Sequence, residues 1–240
     1  SYAMEWFFKA DAQNNADAQN GLGLCYYNGY GVDQDYVKAV EYFTKAAEQG
    51  HVMSQTYLGI CYYNGYGVEQ DYAKAAEWNA KAAEQGDSEA LKELGLSYYL
   101  GEGVEQSYDK AIELWLLASE KDNADAQNYL GNCYYEGKGV EQDYAVAVEW
   151  YTKAATLGHA DAQNTLGWCY YNGLGTERND SKAFEWFKNS SNQNHAQAQY
   201  NQGNCYYHGR GVKQNYEQSF ECYRKSAEQG VAEAQFSLGN

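Results

Sequence analysis

The feature that most constrains this sequence is a 36-residue period that runs along the whole chain without insertion or deletion. Two columns of that period are Gly23, Gly59, Gly95, Gly131, Gly167, Gly203 and Gly239, and Tyr26, Tyr62, Tyr98, Tyr134, Tyr170 and Tyr206. A period of this length is typical of supersecondary units that stack on their neighbours. Residues that recur build such a stack, so residues that break a column are the candidates for function.

Each repeat begins with a pattern that predicts an amphipathic helix, here named helix A. In the repeat 15–50, Ala18, Leu22, Cys25 and Tyr26 share one face at the i, i+4, i+7, i+8 spacing. We expect this helix over roughly 16–28. The following Asn-Gly-Tyr-Gly sequence ends it, because glycine adopts turn and left-handed conformations at low cost.

A second helix, helix B, is predicted over roughly 36–49, with an N-cap residue before it and a helix-terminating residue after it. Its first column contains only residues that cap helix N-termini well, namely Asp35, Asp71, Ser107, Asp143, Asn179 and Asn215. Its last column contains mainly residues that tolerate a left-handed C-terminal conformation, namely Gly50, Gly86, Asp122, Gly158, Asn194 and Gly230. The sequence therefore predicts helix-turn-helix units throughout.

The repeat resembles a known family, the Sel-one-like repeat (SLR), a relative of the tetratricopeptide repeat. The resemblance rests on A-x-A-Q-x-x-L-G-x-x-Y-x-x-G-x-G-V, as in residues 124–140, and on D-x-x-K-A-x-x-W-x-x-K-A-A, as in residues 71–83. It covers essentially the whole chain and implies an all-α fold, a right-handed α-solenoid of 36-residue repeats. The concave side of such a stack is lined by the A helices.

The resemblance also predicts the domain organisation, a single solenoid over 1–240. Six full repeats are expected at 15–50, 51–86, 87–122, 123–158, 159–194 and 195–230. Residues 1–14 match a helix B, and residues 231–240 match the start of a further helix A. Solenoids normally carry polar capping repeats. Since none is visible, we expect either a fragment of a longer protein or end-to-end self-association through the terminal half-repeats.

The formal net charge of −16 argues against nucleic acid as a partner, because nucleic-acid binding requires a basic surface. Many of the acidic residues have a structural explanation, because a glutamate four residues before a lysine, such as Glu41 before Lys45, stabilises a helix surface. No apolar run is long enough to span a bilayer, so no membrane insertion is expected.

The cysteines are predicted to be reduced and buried. Five of the six share one column, at Cys25, Cys61, Cys133, Cys169 and Cys205. Equivalent helices of neighbouring repeats lie about 8–10 Å apart or more, whereas a disulfide needs Cα atoms within about 7 Å. Only the pairing of Cys205 with Cys222 stays open. Reduced thiols favour a cytoplasmic location, although SLR proteins also occur in the periplasm and as secreted effectors.

Nothing in the sequence predicts an enzyme, a metal site or a cofactor. There is no nucleophile elbow, phosphate-binding loop or zinc-binding spacing, and three of the four histidines occupy one column at helix A N-termini. One enzymatic alternative comes from the family, because some cysteine-rich relatives bind or hydrolyse β-lactams. Their second cysteine per repeat is replaced here by Ala47, Ala83 and Ala155.

Within helix A the variable positions are those of residues 17, 20, 21, 24 and 28, which form one stripe predicted to face away from the core. We predict that the stripe binds a partner through Asn20, Leu24, Asn28, Tyr57, Ile60, Asn64, Lys92, Leu96, Asn128, Tyr129, Asn132, Asn164, Trp168, Asn172, Tyr200, Asn204 and His208. Asparagine both donates and accepts hydrogen bonds, which matches a peptide backbone. Exposed Tyr and Trp are enriched in binding hot spots.

The expected function is therefore that of an interaction scaffold or adaptor, which binds a protein or extended peptide in the groove of the A helices. A second interpretation is binding of a cell-wall glycan or peptide, since asparagine and aromatic side chains also suit sugars. The third is the β-lactam-binding enzyme of the cysteine-rich relatives.

Overall fold

A computed structural model describes residues 2–239, and all regular structure in this range is helical. The helices are α1 (Tyr2–Asp11), α2 (Ala16–Asn28), α3 (Tyr36–Glu48), α4 (Val52–Asn64), α5 (Tyr72–Glu84), α6 (Ser88–Leu100), α7 (Tyr108–Ser119), α8 (Ala124–Glu136), α9 (Tyr144–Thr156), α10 (Ala160–Asn172), α11 (Asp180–Asn192), α12 (Ala196–His208), α13 (Tyr216–Glu228) and α14 (Ala232–Leu238). Even-numbered helices are A helices and odd-numbered helices are B helices. The all-α fold class and the paired helices of each repeat are confirmed.

The chain forms two compact units, divided between Lys121 and Asp122. The first unit contains α1 to α7 and the second contains α8 to α14. Within each unit every helix packs on the next helix in the chain, and in the first unit α4 also contacts α6 directly. Each unit is therefore a stack of helix pairs, whereas the prediction of one continuous domain stays a prediction.

The N-cap column predicted for the B helices is confirmed. Asp35 Oδ1 accepts a hydrogen bond from the Lys38 backbone N–H at 3.1 Å. The same contact begins every B helix from α3 to α13, made by Asp35, Asp71, Ser107, Asp143, Asn179 and Asn215. These caps fix where each B helix starts, because they satisfy a backbone donor that has no partner inside the helix.

The column after each B helix has the left-handed conformation that its residue types predict. Its φ angles are positive at the glycines and also at Asp122 (56°) and Asn194 (64°). Aspartate and asparagine accept this conformation more readily than most residues with a side chain. The chain turns there and enters the next A helix.

The loop between helices A and B approaches the preceding repeat closely. Gly67 has a φ of +72°, and a Cβ at this position would lie 2.2 Å from the backbone oxygen of Tyr36, at the start of α3. Gly175 is placed in the same way against Tyr144 at the start of α9. Only glycine satisfies both the backbone angle and the contact.

The core of each repeat is a contact between a glycine of helix A and a large side chain of helix B. A Cβ at Gly23 would lie 2.4 Å from Cε1 of Phe43. The large residues of this column are Phe43, Trp115, Tyr151, Phe187 and Tyr223. The second repeat differs, since it places the amide of Asn79 in this position, against Gly59.

Glutamine pairs link the B helix to the A helix of the same repeat in four of the six repeats. The Gln49 side chain donates to Gln19 Oε1 at 2.6 Å, and Gln193 donates to Gln163 Oε1 at 2.8 Å. Further pairs with the same spacing are Gln85 with Gln55 and Gln229 with Gln199. We call this series the glutamine ladder.

Candidate partner-binding site

The A helices of the second unit form a pocket from residues that the sequence singles out. It has a volume of about 400 Å³ and lies between α10 and α12. Its lining consists of Trp168, Tyr171, Phe187, Gln197, Tyr200, Asn201, Asn204 and His208. The structure therefore brings four of the predicted site residues together, namely Trp168, Tyr200, Asn204 and His208. We call this cavity the α10–α12 pocket.

Two aromatic side chains of α10 line the α10–α12 pocket, and Trp168 is the more exposed of the two. Its side chain is 44% exposed and is stacked on Tyr171, with ring centroids 5.9 Å apart. The guanidinium of Arg210 donates a hydrogen bond to the Tyr171 hydroxyl and lies 4.9 Å from the centre of that ring. These contacts hold Tyr171 in place, so Trp168 presents a rigid apolar surface.

Polar groups of the same pocket are oriented by the packing beneath them. The Tyr223 hydroxyl donates to Asn204 Oδ1 at 2.7 Å, and Asn201 Nδ2 donates to Asn164 Oδ1 at 2.9 Å. Burial raises the pKa of Tyr223, which keeps the hydroxyl protonated and able to donate. The Asn204 amide nitrogen is thereby left as a donor facing the pocket.

A second pocket of about 300 Å³ lies between α4 and α6 in the first unit, and we call it the α4–α6 pocket. Its lining consists of Met53, Thr56, Tyr57, Ile60, Asp87 and Glu89, of which Tyr57 and Ile60 are predicted site residues. The Tyr57 ring is stacked on Phe43, with centroids 5.0 Å apart. This pocket has an apolar floor and two carboxylates on one wall.

Several other predicted residues make contacts within the fold. Asn28, Asn64 and Asn172 each donate from Nδ2 to the backbone oxygen four residues earlier, at 2.9 to 3.0 Å. Asn132 Oδ1 accepts from the Tyr151 hydroxyl at 2.8 Å. Leu24, Leu96 and Tyr129 are partly buried. These residues lie outside both pockets.

The expected exposure of the stripe needs correction at three positions, because Asn20, Lys92 and Asn128 are buried. Asn20 Oδ1 accepts a hydrogen bond from the Ser54 hydroxyl of the next repeat at 3.0 Å. Lys92 is 8% exposed, and its ammonium contacts Glu89 and Glu93. Sequence variation in this column indicates a different buried partner in each repeat, rather than exposure.

Sequence reasoning missed some of the pocket residues. Met53, Glu89 and Gln197 belong to the column of residue 17, which varies between repeats and lies on the same stripe. The variation of that column could have identified these three residues as pocket residues. No sequence pattern could have identified Asp87, because its column is occupied by the N-caps of the A helices and indicates a structural role.

The cysteines do not form a reactive site. All six are free, including Cys205 and Cys222, whose pairing the sequence left open. Burial raises the pKa of the Cys61 thiol to about 12, and it raises the pKa of Cys222 to about 11. A thiol with so high a pKa is protonated at neutral pH and is a poor nucleophile.

The column histidines are structural as well. The Nδ1 atoms of His51, His159 and His195 accept a backbone N–H and thereby cap their A helices. Within the described range, no three His, Cys, Asp or Glu residues are grouped so that they could hold a metal ion. None of the helices in that range has the length and apolarity needed to cross a membrane.

Stacked helix pairs of 36 residues define the class of tetratricopeptide-like α-solenoids. Six consecutive segments match the family model described as Sel1 repeat, at residues 16–51, 52–87, 88–123, 124–159, 160–195 and 196–231. The chain therefore belongs to the Sel1 repeat family. The matched segments differ by one residue in phase from the repeats predicted above. Sel1 repeat proteins typically mediate protein–protein interactions, and their solenoids are typically non-enzymatic.

Solved structures agree with this assignment. One is c5321, a protective antigen present in uropathogenic Escherichia coli strains and displaying an SLR fold, with 39% identity and a TM-score of 0.90. The match covers 98% of this chain and 50% of that one, so this chain spans about half the length of c5321. A Sel1 repeat protein from Oxalobacter formigenes is 31% identical, with a TM-score of 0.83 over 90% of this chain and 86% of that one.

Immunity protein Pa5087 from Pseudomonas aeruginosa shares the fold alone, at 21% identity and a TM-score of 0.56, over 89% of this chain and 81% of that one. No curated protein matches the chain in sequence.

Proposed function

We propose that this chain is an interaction scaffold that binds an extended segment of a partner protein along the face of its A helices. The observation that carries the proposal is the α10–α12 pocket, where Trp168, Tyr200, Asn204 and His208 meet on two successive A helices. A rigid aromatic surface beside amide donors suits a peptide, because the ring supplies contact area and the amides match backbone groups.

The net charge of the chain supports the exclusion of nucleic acid as the partner. The sequence carries 33 acidic and 17 basic residues, and none of the residues that line the α10–α12 pocket is a lysine or arginine. Phosphate backbones are bound chiefly by such cations.

The proposal is tested with a photo-crosslinking amino acid at position 168, followed by identification of the captured partner from the source cell. Affinity for that partner is then measured for Trp168→Ala and for Phe220→Ala. Phe220 is a matched control, since it is 53% exposed in the same unit but lies on a B helix. We expect Trp168→Ala to weaken binding about tenfold or more and Phe220→Ala to leave it unchanged. Equal effects of the two substitutions would contradict a site on the A helices.

A cell-wall glycan or peptide is the second candidate ligand, favoured by the same exposed Trp168 ring beside Asn204 and Gln197. A glycan array separates it from a protein partner, because retention of a sugar by the wild type and loss of retention in Trp168→Ala would favour the glycan.

A β-lactamase activity has no support from the cysteines, because their thiols are buried and protonated. Turnover of nitrocefin by the purified protein would contradict the expectation that the chain is not an enzyme.

A further inference from the structure

The two pockets differ in charge, and this difference bears on what each one binds. The α10–α12 pocket is lined by aromatic, amide and imidazole side chains, whereas the α4–α6 pocket combines an apolar floor with Asp87 and Glu89. We propose that the α4–α6 pocket binds a lysine or arginine side chain of the partner segment. This inference rests on the function proposed above and specifies the chemistry of one position of the ligand.

The floor of the α4–α6 pocket fits the carbon chain of a basic residue. Met53 and Ile60 lie on α4 with Tyr57, whose ring is fixed by stacking on Phe43 at 5.0 Å. Lysine and arginine bury their methylene groups along apolar surface while their charged ends reach polar groups. A volume of about 300 Å³ accommodates one such side chain.

The wall of the pocket supplies carboxylate oxygens for the charged end. Asp87 Oδ1 accepts from the Ala90 backbone N–H at 2.8 Å and from the Thr56 hydroxyl at 3.2 Å. These two contacts fix the carboxylate, and Oδ2 accepts no hydrogen bond from any residue that the structure describes. The fixed carboxylate lies beside the apolar floor, where a charge-assisted hydrogen bond is stronger than in water.

Lys92 does not neutralise this wall completely. Its ammonium lies 2.8 Å from Glu93 and also contacts Glu89. Burial opposes the charged form of Lys92, but the two glutamates outweigh it, so the pKa of Lys92 is raised and the ammonium stays charged. With Asp87 the group contains three carboxylates and one ammonium, and an excess of negative charge remains beside the floor. A cationic side chain complements that charge, whereas a neutral or acidic one does not.

The test uses two blocked heptapeptides, Ac-Gly-Ser-Ala-Arg-Ala-Ser-Gly-NH2 and the same peptide with citrulline in place of arginine. Citrulline has nearly the same shape but no charge. Binding is followed by NMR on the methyl groups of Met53 and Ile60 in the full chain. We expect the arginine peptide to shift these methyl resonances with a dissociation constant roughly tenfold lower than that of the citrulline peptide, and the difference to shrink at high salt.

The matched variant is Asp87→Asn with Glu89→Gln. Asparagine keeps the helix cap, since Asn15 and Asn123 cap α2 and α8 in the same column. Lys92 keeps Glu93 as a partner but loses Glu89, so the variant is expected to fold with a lower urea midpoint than the wild type. It should bind the two peptides equally. Asp33→Asn with Glu105→Gln changes the net charge by the same amount at exposed positions outside the pocket, and should keep the tenfold preference.

Equal binding of both peptides by the wild type would overturn the proposal. An equal loss of preference in the two double variants would also overturn it, because the effect would then come from net charge. These failures differ from failure of the scaffold function, which is measured with the captured partner and Trp168→Ala. If that partner binds the Asp87→Asn, Glu89→Gln variant as tightly as the wild type, partner binding along the A helices is retained, and the proposal that the α4–α6 pocket binds a basic side chain is wrong.

Discussion

His195 links two repeats through its two ring nitrogens. Nδ1 accepts the Ala198 backbone N–H at 3.1 Å and caps α12, while Nε2 donates to Asp161 Oδ1 of the preceding A helix at 2.8 Å. Because Nδ1 accepts, the neutral ring carries its proton on Nε2. His51 and His159 make the same pair of contacts, with Asp17 and Asp125.

This arrangement makes stability depend on pH through Asp161. The hydrogen bond from His195 is the largest influence that lowers the Asp161 pKa below its ordinary value of 3.8. A lowered pKa in the folded state stabilises the fold above pH 3.8, and this contribution is lost as pH falls through the folded-state pKa. Asp161→Asn should therefore be slightly less stable than the wild type at pH 6, by less than about 1 kcal/mol because the Asp161 side chain is 68% exposed and solvent screens the contact. Urea unfolding between pH 6 and pH 2.5 measures the difference, which should vanish at the acid end. A difference that grows toward low pH would contradict the argument.

Asn79 is a second residue whose chemistry departs from its column. Its side chain is buried in the position that aromatic residues occupy in other repeats, and its Oδ1 accepts no hydrogen bond within the described chain. A buried acceptor without a partner costs about 1–3 kcal/mol. Asn79→Leu keeps the branched shape and removes the polar atoms, so we expect it to raise the free energy of unfolding by about 1–3 kcal/mol.

The matched control for that prediction is Asn132→Leu. Here Oδ1 accepts from the buried hydroxyl of Tyr151 at 2.8 Å, and leucine would leave this hydroxyl without its acceptor. The same substitution should therefore destabilise the protein at position 132. Urea midpoints of the two variants measure both effects, and the same sign at both positions would show that the hydrogen bond is not the cause.

At the scale of helices, the glutamine ladder is interrupted at α7, where both glutamines are replaced by Leu91 and Lys121, and at α9, where only one is replaced. Leu157 occupies the place of Gln49, Gln193 and their equivalents, while Gln127 occupies the acceptor place below it. Leu157 is 48% exposed, so the leucine gains little from burial. We expect Leu157→Gln to restore the pair at α9 and raise the free energy of unfolding by about 1 kcal/mol. Leu157→Ala removes the same exposed leucine without adding an amide. Equal urea midpoints for the two variants would argue against the ladder.

The loop between α10 and α11 shows how one repeat fixes its neighbour. A Cβ at Gly175 would lie 2.0 Å from the backbone oxygen of Tyr144, at a φ of +66°, whereas a Cβ at Gly158 meets no atom within 4 Å, at a φ of +94°. Gly158→Ala should thus cost about 1–2 kcal/mol, from the backbone angle alone. Gly175→Ala adds a clash and should cost about 2–5 kcal/mol. Urea unfolding compares the two, and equal losses would show that the inter-repeat contact adjusts freely.

For the whole molecule, sequence periodicity and capping residues were sufficient to predict the helices. The predicted A helix of the first repeat, 16–28, is the observed one, and the B helix ends one residue before the predicted 36–49. Burial on the A helices was harder to predict. An A helix packs against its own B helix and against neighbouring repeats, so a variable position such as that of Asn20 is buried against a residue of the next repeat. One helical period cannot reveal that second packing direction. The pocket carboxylate of Asp87 was missed for a related reason, since the same side chain also caps a helix.

The net charge of the molecule leads to a last prediction. A formal charge of −16 implies repulsion within the folded state, and solution ions screen it. Raising NaCl from about 0.01 M to about 0.15 M shortens the Debye length from about 30 Å to about 8 Å. We therefore expect the free energy of unfolding at pH 7 to rise by on the order of 1 kcal/mol over this step, although the exposed Glu–Lys pairs weaken slightly. The control is the same salt step near pH 4.6, where the sequence has its isoelectric point and repulsion is small. Urea unfolding at low protein concentration measures both. A gain of the same size at pH 4.6, or a loss at pH 7, would mean that local ion pairs, and not net charge, dominate the electrostatics of this solenoid.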